Sequence, residues 1–170
     1  MPELEYWTFG TEVPLDQMAI NLGAPGDRRG PDGKMWLEYP VVGGPSTKVN
    51  LTIEPKDTPI FRVHSTTVKA GNLKWIAGSG LEGIQSVAIP MKENGTHKVK
   101  LHFMEPEQIG SGKRVFDVSL QGKTVLPGLD LSRLAGGSHK GIVKEFTVEV
   151  KDQILLMEFS SRTEQPAVLS

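Results

Sequence analysis

The stretch HKVKLHFMEPEQIGSGKRVFDVSLQGKTVL, residues 97–126, decides the fold class. Val99, Leu101 and Phe103 alternate with Lys98, Lys100 and His102, and a period of two gives a strand one buried and one solvated face. Phe116, Val118 and Leu120 then alternate with Asp117 and Ser119, and Gln121-Gly122 supplies a tight hairpin turn into Thr124–Leu126. Downstream, VKEFTVEVKDQILLMEFS places Phe146, Val148 and Val150 inward, turns at Lys151 to Gln153, and returns through Leu155, Met157 and Phe159. Upstream, KVNLTIEP, PIFRVHSTTV and GIQSVAIPM are β-rich segments separated by Pro, Gly, Asn and Asp. LSRLAGG supports one helical turn at most. Many short strands with glycine-rich connections predict an all-β sandwich of two antiparallel sheets over residues 48–170. Residues 1–47 read as an irregular glycine-rich arm or the remnant of a preceding module.

A chain of 170 residues can bury a sizeable core in one domain. Its 19 basic and 20 acidic residues are interspersed, so no field favours nucleic acid or an anionic membrane. With no cysteine there is no disulfide framework, thiolate metal site or cysteine nucleophile. The sequence has no apolar run long enough for membrane insertion and no leader at Met1.

The arm segment GAPGDRRGPDGKMWLEYPVVGG, residues 23–44, resembles a ligand-cradling loop in composition alone. A phosphate loop built on Gly33-Lys34 would need glycine at Arg28 and a hydroxyl residue at Met35. A calcium loop would need a carboxylate where Tyr39 stands. Met35, Trp36, Leu37 and Tyr39 are instead expected to pack onto the sandwich or onto a neighbouring domain of the parent chain.

No catalytic or metal constellation emerges. His64, His97, His102 and His139 lack metal-ligand spacing and read as structural or solvent-facing. Ser79 in GSGLEG would need glycine at Ala77 and Leu81 to form a nucleophile elbow. Glu105 and Glu107 share a strand end and, like Asp117, read as solvated charges rather than a glycosidase pair. The triplets at Asn50 and Asn94 are formal glycosylation acceptors. Aromatic faces suit the C–H side of a sugar ring, and Trp75, among loop residues, is the best candidate for an open platform.

KENGTHKVKLHFMEPEQIGSGKRVFDVSLQGKTVLPGLDLSRLAGGSH resembles the malectin and malectin-like family. The resemblance lies in Phe103 and Glu105, the run Lys113 to Val118, Gln121-Gly122, and Leu129 to Leu131. It implies a jelly-roll-like β-sandwich without catalysis or cofactor, used in some members to bind a glucan or other glycan. Its aromatic ligand pair falls here on Glu107 and Gln108, its acidic ligand on Glu164 before Gln165-Pro166, and an earlier ligand tyrosine in the loop of Trp75. Family chains continue past a segment like PAVLS into a closing strand, so an open sheet edge is expected at Ser170 unless the first 50 residues replace that strand. The arm resembles segments beside such modules in large bacterial surface or secreted proteins.

These readings predict a non-enzymatic, extracytoplasmic carbohydrate-binding accessory module, with Trp75, Glu164, Glu107 and Gln108 as its site. The alternative is a structural or protein-interaction module without sugar binding.

Overall fold

The computed structural model describes residues 18–42 and 49–170. The elements are β1 (Ala19–Leu22), β2 (Arg28–Arg29), β3 (Met35–Tyr39), β4 (Thr52–Glu54), β5 (Ile60–Arg62), α1 (Lys74–Ala77), β6 (Ser79–Glu82) and β7 (Ser86–Pro90). There follow β8 (Gly95–Phe103), β9 (Val115–Leu120), β10 (Lys123–Asp130), α2 (Leu131–Ala135), β11 (Ile142–Val150), β12 (Ile154–Ser161) and β13 (Val168–Leu169).

β9 and β10 form the hairpin expected at Gln121-Gly122, whose φ angles are 52° and 74°. Two successive left-handed residues match the twist of the flanking strands. β12 pairs with the other edge of β9, and the sheet runs β10-β9-β12-β7-β4, antiparallel throughout. The facing layer holds β8, paired with β11 over nine residues, and β6, flanked by β5 and β13. Phe116, Val118, Leu120, Leu155, Met157 and Phe159 from the first layer meet Val99, Leu101, Phe103, Val148 and Val150 from the second in one core.

Two details depart from the sequence reading. The turn at Lys151 to Gln153 joins strands of different layers, since β11 pairs with β8 whereas β12 pairs with β7 and β9. Beside the edge expected to lie open at Ser170, the Ser170 N–H makes one hydrogen bond to the His102 carbonyl of β8, at 2.9 Å, while β13 pairs as a strand with β6 alone.

The described part of the arm is more regular than its composition suggested. β3 lies between β1, which it pairs in parallel, and β2, which it pairs antiparallel. Leu22 enters the sandwich core, Arg62 Nε donates to the Gly23 carbonyl at 2.7 Å, and Ser79 Oγ meets Asn21 Oδ1 at 3.5 Å. Trp36 and Leu37 are buried and Tyr39 is partly so. Met35, at the turn end of β3, is 40% exposed and does not pack onto the sandwich. The interleaving of β5, β6 and β13 requires glycine at Gly80, where a Cβ would stand 2.2 Å from the Leu169 carbonyl and 2.6 Å from the Phe61 ring.

Candidate functional site

Strand alternation carried one step further explains the most unusual feature of the loop end. Glu105 continues the inward phase of Leu101 and Phe103, and Arg114 precedes Phe116 and Val118 in the same phase. Both side chains therefore enter the interior, each 1% exposed, and Arg114 Nε donates to Glu105 Oε2 at 2.9 Å. Arg114 Nη2 reaches Glu82 Oε1 at 2.9 Å and Glu107 Oε2 at 3.4 Å, while Nη1 donates to the Pro166 carbonyl. Each nitrogen of the guanidinium is engaged, as the desolvation of a buried cation demands. Glu105 is thus no solvated strand-end charge. Burial pushes its carboxyl above the usual range, against the opposing pull of Arg114.

The hub fixes the β8–β9 loop and, through Pro166, the segment that leads into β13. The His139 N–H donates to the Glu105 carbonyl at 3.0 Å, and its ring Nε2 lies 2.9 Å from the Pro106 carbonyl. Gln108 Nε2 approaches His139 Nδ1 at 3.5 Å. Glu107 and Gln108 stand exposed on this framed loop. Asp117, on the neighbouring sheet, is held below the usual carboxylate range by the Gly128 N–H and by Arg162, and serves the β9–β10 hairpin.

The aromatic centre is separate. Trp36 meets Trp75 edge-on at 5.8 Å and His102 at 5.4 Å, and the Arg28 guanidinium lies 4.7 Å from the centroid of the Trp75 ring. Trp75 is accordingly half-buried, with Arg28 against its ring, rather than an open platform. His102 belongs by alternation to the polar face of β8, yet it is buried because the arm sheet covers that face. Burial and Lys100 lower its pKa from 6.5 to about 4. Beside it lies a half-open cavity of about 370 Å³, lined by Pro31, Asp32, Leu73, Ala77, His102 and Ile142 among others.

Glu107 and Gln108 are neighbours in sequence, and Glu164 stands two residues before Pro166, whose carbonyl accepts from Arg114. It does not bring Trp75 to Glu164. Val168 opposes Glu82 and Leu169 opposes Leu81, so Glu164 lies beyond the Glu82 end of β6, whereas Trp75 sits on α1, which enters the opposite end. Among the described residues no group of three or more His, Asp or Glu is placed to hold a metal ion. The residues missed in the sequence, Arg114 and Glu82, were signalled for Arg114 by its phase and for Glu82 by nothing local.

The described fold is shared with solved proteins. The plant receptor-like kinase FER superposes with a TM-score of 0.69 at 15% identity, covering 89% of this chain and 46% of that one. The ANX1 ectodomain from Arabidopsis thaliana gives 0.68 at 13% identity, covering 89% and 46%. A Bacteroides uniformis β-glucuronidase gives 0.69 at 14% identity, covering 89% of this chain but 17% of the enzyme. At such identities the likeness is one of fold. In sequence, a probable LRR receptor-like serine/threonine-protein kinase of Arabidopsis thaliana is 39% identical over 69 residues, 37% of this chain and 7% of that protein. Receptor-like protein 4 of the same plant is 28% identical over 85 residues, 49% of this chain and 14% of its own length. The chain thus spans a small part of these curated relatives, which are plant proteins and give the expected bacterial parentage no support. The Malectin domain model matches residues 85–169, half of the chain, which takes in β8 to β12 and Arg114. This chain belongs to the malectin domain family.

Proposed function

We propose that the chain is a non-catalytic carbohydrate-binding accessory module of a larger secreted or cell-envelope protein. The observation that carries this reading is the Arg114 hub. It presents Glu107, with Gln108 beside it and the turn of Glu164 nearby, at one end of a malectin-family sandwich. Carboxylate and amide groups there would bind sugar hydroxyls by hydrogen bonds, in place of the stacking that aromatic residues provide. Residues 48–170 would be the folded module and residues 1–47 the arm that connects it to, or docks it on, a neighbouring domain.

Calorimetric titration of the whole chain with glucose oligomers and a panel of glycans tests the reading. Binding lost on replacing Glu107 and Glu164 with alanine supports it, and absence of heat at millimolar ligand sinks it. A second reading, a structural or protein-interaction module, is favoured by one observation: Trp75, the expected platform, is taken up by Trp36 and Arg28. Under it, neither the chain nor its Glu107 and Glu164 variants would bind any glycan of the panel.

A further inference from the structure

We propose that the β2–β3 ribbon, residues 28–39, is an acid-loosened flap over β8, held by the packing of Trp36 on His102 and lifted when that ring takes a proton. The placement is unusual for a histidine. The ring stands on the outer face of its strand, where Lys100 also projects, and it is buried with Trp36 of the ribbon against it. Trp36 offers it an aromatic contact at 5.4 Å that also touches Trp75, so one side chain fastens the ribbon to both β8 and α1.

The charges around the ring oppose an added proton. Lys100 lies two residues away on the same face and pairs with Glu145 of β11 at 3.2 Å. The cross-strand partner of His102, Val143, is uncharged. Arg28 of the ribbon sits on Trp75, and α1 carries exposed Lys74. Asp32, in the β2–β3 turn, is the carboxylate that lines the same cavity as His102, and that cavity gives water a route to the ring. A ring that titrates at about 4 under the ribbon and at 6.5 in solution couples proton uptake to opening. Apart from Trp36, the ribbon is tied through β3 to β1, which pairs with it in parallel over four residues and is itself anchored to the sandwich by Leu22, Asn21 and Gly23, while the outer strand β2 pairs with β3 over two residues.

Hydrogen–deuterium exchange of the whole chain, corrected for intrinsic rates, tests this between pH 7.5 and 4. The opening constant of peptides covering 28–39 is expected to rise about tenfold per pH unit between about 6.5 and about 4, while 115–120 and 154–161 stay protected. His102→Gln should remove that acid response. Lys100→Gln, an exposed change, should raise the pKa of the covered ring, so that the response ends at a higher pH with a smaller total rise, and it decides the matter if the His102 variant does not fold. An unchanged end point and total rise in Lys100→Gln, an acid response that persists in His102→Gln, or loss of protection in 28–39 and 115–120 at one and the same pH would each overturn the proposal.

Discussion

The Arg114 hub and the Trp36 contact both bury polar groups, but they satisfy them differently. At the hub, three carboxylates and a carbonyl surround one guanidinium, and four segments of chain are tied through charge-assisted hydrogen bonds. At the flap, aromatic edges do the holding, and Trp36 Nε1 is buried without a partner. A buried charged network is costly to break, because removing one buried member leaves another charge buried and unpaired. An aromatic contact fails by degrees, and here it contains an ionisable ring that water can reach.

The largest expected effect comes from breaking the hub. Arg114→Ala leaves Glu105 buried and unpaired, and should cost about 3–5 kcal/mol in urea unfolding. The double change Arg114→Met with Glu105→Leu should recover much of that, because apolar replacements need no partner. Trp36→Ala should cost about 3–5 kcal/mol through lost transfer energy and an unfilled cavity. If urea unfolding of this variant shows no loss while glycan binding disappears, the packing role of Trp36 is wrong.

The two regions should also answer pH with opposite signs. The folded pKa of His102 lies below its value in the unfolded chain, so between about 6.5 and 4 the unfolded chain binds more protons. Stability therefore falls with acid in that window, by at most about 3 kcal/mol, and His102→Gln should flatten the acid limb of a stability curve. Glu105 is raised, so its contribution is present at low pH and is lost as pH rises through its folded pKa. Glu105→Gln should flatten the limb above the ordinary carboxylate range. The smallest effect is expected for Glu107→Ala, whose half-exposed carboxylate sits 3.4 Å from Arg114: under about 1 kcal/mol of stability, with sugar affinity as the informative readout.

Much of the sandwich was legible because half-buried strands advertise themselves by alternation. His102 apart, the buried residues of β8, β9 and β12 are those whose period-two phase pointed inward, and Gln121-Gly122 announced its own turn. The same phase placed Glu105 and Arg114 inside, a conclusion that their charge discouraged. Recognising an inward charge is possible only once a partner is found, and Glu82 comes from a strand far away in sequence.

What the sequence by itself determined, then, is the set of local choices: which residues of a strand share a face, where glycine permits a turn, and where no helix of length can form. Tertiary structure alone decided what lies above each face. Alternation assigned His102 to the outside, and the arm sheet turned that outside into an interface. It likewise paired β11 with β8 rather than with β12, its neighbour in sequence, and set Trp75 against Trp36 and Arg28, away from Glu164. The physical reason is the same in each case. Periodicity is a property of one segment, whereas burial, pKa and site geometry depend on contacts between segments whose separation along the chain carries no trace in local pattern.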